Sequence, residues 1–166
     1  RQYAFEKELH IIGDLPYYVD FESADVWGHP DAFKLDEDYR PRMKAGVPPD
    51  FFNDEGQLWG NPVYDWKRLG ENGFAWWMDR IEQSFRLYDV LRIDHFRGFV
   101  DYWQVPGDVD SAKDGEWVDV PAEKFFQKLF SRWPFAPMIA EDLGEISARV
   151  REVIGMYGVT SVKVLL

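Results

Sequence analysis

Val90-Leu91-Arg92-Ile93-Asp94 and Met138-Ile139-Ala140-Glu141 are two short apolar runs that each end in a carboxylate. Their length and composition fit buried strands of a parallel sheet, which read as continuous apolar runs rather than as an alternation. Arg92, Asp94, His95 and Arg97 crowd the end of the first run. So much charge at a strand-to-loop junction points to chemistry there, because a rigid strand fixes a side chain while the following loop shapes a pocket.

Working outward, Phe74, Trp77, Ile81, Phe85 and Tyr88 recur at helical spacing and predict an amphipathic helix over Phe74–Leu87 that leads into the Asp94 strand. Pro121 and the apolar side made by Phe125, Phe126, Leu129 and Phe130 predict a second helix over Ala122–Arg132, before the Glu141 strand. Ser147 can cap a third, running to about Tyr157, and Gly158 can end it. A strand over His10–Asp14 follows the end of a helix at Arg1–Leu9, and Ser161–Leu166 reads as a last apolar strand. Strand, helix, strand, helix, strand, helix, strand demands parallel pairing through right-handed crossovers. The fold class expected is therefore α/β, with about four consecutive strands of a (β/α)8 TIM barrel. A complete barrel takes about 250 residues, so 1–166 reads as a partial catalytic barrel, a fragment of a larger enzyme.

One Asp and one Glu at neighbouring strand ends suit glycoside chemistry, in which one carboxylate attacks the sugar carbon and a protonated one assists the departing oxygen. Arg92, two residues before Asp94 and on the same strand face, would keep that Asp ionised. An Arg92–Asp94 structural ion pair and a solvated acidic turn of Glu141, Asp142 and Glu145 are the plain alternatives. The two carboxylates together favour catalysis.

The 166 residues carry a net charge of −11, which argues against nucleic acid or an anionic membrane as a partner. With no cysteine there is no disulfide framework or thiolate metal site, and no run approaches the length of a membrane span. The expected compartment is the cytoplasm. Aromatic residues make up 17% of the chain, with eight Trp and eight Tyr. Most belong to packing, but rings with a polar handle also stack on sugar faces.

Residues 15–72 carry Pro16, Pro30, Pro41, Pro48, Pro49 and Pro62 among repeated Gly, Asp and Asn, and read as a long irregular insertion. Its aromatic content argues against disorder. Within it Pro48 and Pro49 stiffen the chain, Gly56 and Gly60 allow tight turns, and the rings offer an apolar platform that can exclude water.

Four runs carry a family resemblance: Ile12–Val19 (IGDLPYYV), Ala45–Tyr64 (AGVPPDFFNDEGQLWGNPVY), Arg92–Gly98 (RIDHFRG) and Ile139–Gly144 (IAEDLG). They resemble the 4-alpha-glucanotransferases, also called amylomaltases or disproportionating enzymes, of glycoside hydrolase family 77 in the alpha-amylase clan. The match covers essentially the whole chain in the right order. The resemblance implies a retaining transglycosylase on a (β/α)8 barrel that moves a stretch of alpha-1,4-glucan onto glucose or another glucan, with no organic cofactor and no metal. It makes Asp94 the nucleophile, Glu141 the acid and then the base, and Arg92 the residue that orients Asp94. Asp14 and His95 would bind glucose hydroxyls near the cleavage point. Asp50, Phe51, Phe52, Gln57, Trp59 and Asn61 would lie in the loop of insertion 15–72 that overhangs the acceptor side of the cleft. The chemistry asks for Glu141 protonated, Asp94 ionised, and the two carboxyls about 5 Å apart. Phe51 departs from the Tyr that the family often has, and a third essential carboxylate in a later His-Asp-Asn motif lies outside these residues. The fragment alone is therefore expected to be inactive and, with open strand edges, to self-associate.

A hydrolase of the same clan would share Arg92, Asp94 and Glu141, and a non-catalytic glucan-binding module would share the aromatic loops. Asp108, Asp110, Asp114 and Glu116 suggest a calcium loop, but Gly115 is misplaced for the helix-loop-helix pattern, and an Asp-rich turn explains them.

Overall fold

The computed structural model describes residues 1–51, 53–143 and 146–162. In chain order the elements are α1 (Gln2–Glu6), β1 (Ile12–Leu15), α2 (Ala24–Gly28), β2 (Met43–Val47), β3 (Gln57–Pro62), α3 (Trp66–Glu71), α4 (Ala75–Leu87), β4 (Val90–Ile93), β5 (Asp101–Pro106), β6 (Glu116–Asp119), α5 (Ala122–Arg132), β7 (Met138–Ala140), α6 (Ala148–Tyr157) and β8 (Thr160–Ser161). They form two compact units, one of residues 1–17, 73–100 and 121–166, the other of 18–72 and 101–120.

The first unit holds a four-stranded sheet in the order β1-β4-β7-β8, parallel throughout. This is the α/β arrangement the apolar runs predict, with helices as the crossovers. α5 keeps the predicted bounds. α6 starts where the Ser147 hydroxyl accepts the Val150 N–H, and it stops at Gly158, whose φ of +62° is the left-handed conformation of a helix C-terminal glycine. β1 begins two residues later and ends one residue later than the His10–Asp14 expected, and of the Ser161–Leu166 strand residues 163–166 lie outside the described residues.

Aromatic side chains fill this unit. Trp77, Tyr17, Phe96, Phe99, Phe125 and Phe126 are all at most 2% exposed. Phe99 stacks on Phe125 at 4.8 Å between ring centres, and Trp77 meets Phe99 edge-on at 4.7 Å. Burying one such ring contributes roughly 1.5–3 kcal/mol, so α4 and α5 are held to each other and to the turn after β4 mainly by these contacts. Gly13 in β1 is required by close approach, since a methyl there would lie 2.0 Å from the Tyr88 ring.

Asp89 pins the start of β1 beside β4. Its N–H donates to the Ile11 carbonyl at 2.9 Å and its Oδ2 accepts the Ile11 N–H at 2.8 Å. That main-chain donor, aided by Arg1, holds the Asp89 carboxyl below the ordinary carboxylate value. A depressed native value means that the contribution to stability is complete above the ordinary value and drains away as pH falls through the native one. Asp89→Ala is accordingly expected to lower the thermal unfolding midpoint of the full-length protein above about pH 5, with the difference from wild type shrinking toward about pH 3. A difference that does not change with pH would contradict this assignment.

The second unit holds an antiparallel sheet in the order β3-β2-β5-β6. The sequence reading had no strands here, and the reason is physical. β2 pairs with β5 across nearly 60 residues of intervening chain, and the strands are short, with a bulge between Lys44 and Gly46. Residues 18–72 are thus built on β2 and β3 as well as on turns. The buried Gln104 accepts Lys34 Nζ at 2.8 Å and donates to Glu116 at 2.8 Å, while Lys34 also reaches the Tyr102 hydroxyl at 3.0 Å. Burial pushes the Lys34 ammonium below its ordinary value, against the pull of Asp65 and Glu116.

Candidate active site

The parallel register decides what the first unit brings together. Asp14 of β1 stands opposite Arg92 of β4, and Arg92 opposite Ile139 of β7. Ile93 pairs with Ala140, so Asp94 and Glu141 are the next step of the same ladder. The hydrogen bonding continues past the strand ends. Asp94 N–H donates to Leu15 O at 3.0 Å, Glu141 N–H to Ile93 O at 2.9 Å, and Phe96 N–H to Glu141 O at 3.1 Å. Both acidic side chains therefore leave a backbone fixed on its neighbouring strand.

Arg92 bridges two carboxylates. Its Nη1 donates to Asp14 Oδ1 at 2.6 Å and its Nη2 to Asp94 Oδ1 at 3.0 Å. The bond to Asp14 is the largest influence keeping the guanidinium above even its usual high value; burial works against it, and the charges of Asp14 and Asp94 add to it. A cation so placed stabilises the ionised form of a neighbouring carboxylate and holds its orientation. Asp14, expected to meet a sugar hydroxyl, has Oδ1 engaged by Arg92 and keeps 58% of its side chain exposed.

Glu141 is held by main chain. Its Oε2 accepts the His95 N–H at 3.0 Å and its Oε1 the Leu143 N–H at 2.9 Å. His95 can reach it because its backbone is left-handed, at φ +50° and ψ +51°. The His95 ring lies 5.9 Å from that of Tyr17. Thus Asp14, Arg92, Asp94, His95 and Glu141, named from the sequence, gather at the ends of β1, β4 and β7. Tyr17 was quoted only as part of a run; no signal local to it marks the contact it makes here.

The loop residues named from the sequence lie in the second unit. Asp50 Oδ1 accepts the Asn53 N–H at 2.7 Å, and Asn53 Nδ2 donates to Gly56 O at 2.9 Å, which closes the loop on itself. Phe51 is 96% exposed. Trp59 Nε1 donates to Gln57 Oε1 at 3.1 Å, and the Trp59 ring meets Tyr18 edge-on at 5.8 Å. Asn61 Nδ2 donates to Val19 O at 2.9 Å, so this amide holds the backbone. Phe52 lies outside the described residues. An open cavity of about 790 Å³ in this unit, walled by Phe21, Trp27 and Tyr39, takes in none of the candidate site residues named from the sequence.

Among the described residues no group of three or more His, Cys, Asp or Glu could hold a metal ion. Of the four acids that suggested a calcium loop, Glu116 is bonded to Gln104 and Asp110 is 3.8 Å from Lys44. Among the same residues no helix is long and apolar enough to cross a membrane.

Parallel strands joined by helical crossovers, with acidic side chains at the strand ends, define a stretch of (β/α)8 barrel. A sequence profile described as 4-alpha-glucanotransferase matches residues 1–166. The chain belongs to that family. It is 52% identical over 151 residues to the 4-alpha-glucanotransferase of Aquifex aeolicus (strain VF5), covering 91% of this chain and 31% of that protein. The Thermus thermophilus 4-alpha-glucanotransferase is 46% identical over 157 residues, covering 95% of this chain and 31% of the relative. A solved amylomaltase from Streptococcus agalactiae in complex with acarbose superposes with a TM-score of 0.93 at 45% identity, over 96% of this chain and 32% of that one. The chain spans about a third of the length of the relatives it matches.

Proposed function

We propose that these residues carry the nucleophile and the acid/base of an enzyme that transfers segments of alpha-1,4-glucan to glucose or another glucan with retention. The Asp94 carboxylate attacks the anomeric carbon, the glycosidic C–O bond breaks, and Glu141 delivers its proton to the departing oxygen. In the second half Glu141 takes the proton from the acceptor hydroxyl, whose oxygen attacks the same carbon and releases Asp94. Arg92 orients Asp94, and the free oxygen of Asp14 together with the His95 side chain binds glucose hydroxyls. Asp50, Phe51, Phe52, Gln57, Trp59 and Asn61 belong to the acceptor-side loop, with Phe51 and Trp59 as the rings offered to sugar.

The observation that carries this reading is the register. One step beyond Ile93 and Ala140, Asp94 and Glu141 leave adjacent parallel strands at the same end of the sheet, which supports reading them as the pair of carboxyl groups that glycoside chemistry uses. A sugar rather than water as acceptor is supported by the family and by the exposed Phe51 and Trp59 rings of the Ala45–Tyr64 stretch. The test is product analysis of the full-length protein with maltotriose. Glucose together with a ladder of longer maltooligosaccharides is the expected result. Maltose and glucose alone would make it a hydrolase, and glucan binding without turnover a binding module.

A further inference from the structure

The chain between the two carboxylates turns sharply. After β4 it passes through left-handed His95 into a single 3-10 turn, Phe96–Phe99, closed by Gly98 N–H on His95 O at 2.9 Å. A residue other than glycine stays left-handed only where its surroundings over-determine it. On one side those surroundings are Glu141, which accepts the His95 N–H on its carboxylate and the Phe96 N–H on its carbonyl. On the other side is Tyr17.

The Tyr17 ring lies against the α-carbon of Gly98. A methyl group at 98 would sit 2.5 Å from Tyr17 Cε1 and 2.7 Å from Cδ1 and Cζ. The ring cannot retreat. It is 1% exposed, stacked on Trp77 at 5.7 Å and 24°, and met edge-on by Phe99 at 4.9 Å, while Trp77 is itself fully buried. The 3-10 turn is therefore seated between an immovable ring and the end of β7, and its height above that ring decides where the His95 N–H points.

We propose that Tyr17 is a positioning residue for the transfer reaction, acting through Gly98 on the turn that follows Asp94 and aims the His95 N–H at Glu141. This rests on the reading of Asp94 and Glu141 given above. Any side chain at 98 lifts the turn off Tyr17 and moves the donor that holds the Glu141 carboxylate relative to the Asp94 backbone. A misplacement of about 1 Å at a reacting group can cost on the order of 100-fold in rate. The Asp14 contact and the acceptor-side loop are untouched, so the loss falls mainly on kcat, with the displaced His95 side chain adding only a small rise in KM.

The test uses the full-length protein and maltotriose. Gly98→Ala is expected to lower kcat by about 10- to 100-fold while KM moves by less than about 3-fold. Adding Tyr17→Leu removes the ring that the new methyl strikes and is expected to recover at least about 5-fold of that loss, a coupling that independent sites would not show. Tyr17→Phe alone keeps the ring and should retain most of kcat. Gly98→Ala turnover within about 2-fold of wild type, or a double variant no better than the single one, would overturn the proposal. If Gly98→Ala shows no cooperative thermal transition, Tyr17→Leu alone decides: a fall in kcat of about 5-fold or more at constant KM supports the role, and an unchanged kcat refutes it. Asp94→Asn run alongside separates the two claims. Turnover retained in Asp94→Asn removes the underlying mechanism, whereas an inactive Asp94→Asn beside a normal Gly98→Ala removes only the role of Tyr17.

Discussion

Asp94→Asn in the full-length protein is expected to lower maltotriose disproportionation by at least about 10³-fold, some 4 kcal/mol of transition-state stabilisation, with glucan binding retained. Asparagine keeps the shape of the side chain and leaves an oxygen for Arg92 Nη2, now 3.0 Å from Asp94 Oδ1, so the strand end should not rearrange. What it removes is the carboxylate proposed to form the bond to the anomeric carbon. The size of the loss separates the readings. A structural ion pair between Arg92 and Asp94, 33% and 43% exposed at their side chains, would contribute about 1 kcal/mol or less to stability and nothing to chemistry. Turnover above about a tenth of wild type, judged against an unchanged unfolding midpoint, would mean that Asp94 is such a pair and that the nucleophile lies elsewhere.

The parts of the fold legible in the sequence are those whose cause is local. β4 and β7 announce themselves as short apolar runs, α5 by its aromatic side, and α6 by Ser147 and Gly158 at its ends, because period, caps and composition all act within a few residues. The antiparallel sheet of the second unit could not be read this way. Lys34, Gln104 and Glu116 satisfy one another across about 70 and 12 positions, and only that pairing makes a buried glutamine tolerable. The same division runs through the candidate site. Arg92 beside Asp94 follows from a spacing of two on a strand. The bond from Arg92 to Asp14 spans 78 positions, and the one from His95 N–H to Glu141 needs a left-handed backbone at a residue other than glycine, which no local pattern announces. The Tyr17–Gly98 contact is invisible for the same reason, since it depends on how β1 is laid beside β4.

Glu141→Ala gives the second large effect, and its pattern says more than its size. With maltotriose, whose departing sugar oxygen needs a proton, turnover is expected to fall on the order of 10²- to 10⁴-fold. With an alpha-glucosyl fluoride the leaving group departs without a proton, so the first step should survive and the glycosyl-enzyme on Asp94 should accumulate. Azide can then attack that intermediate without base assistance, and the expected product is the alpha-glucosyl azide, formed by two inversions. A beta-configured azide would require a single displacement, making position 141 the site of the nucleophile and reversing the assigned roles. Equal loss of the first step with both donors, read as the rate of glycosyl-enzyme formation, would deny Glu141 the role of proton donor. Removing Glu141 also removes the acceptor of the His95 and Leu143 N–H groups, at 3.0 and 2.9 Å, so a general collapse of the turn must be distinguished from lost proton transfer. Glu141→Gln makes that distinction, because its amide oxygen still accepts one of the two N–H groups while its NH₂ can neither give the proton required nor take one. If the glutamine variant matches the alanine variant on maltotriose and handles the fluoride, the loss belongs to the proton and not to the turn.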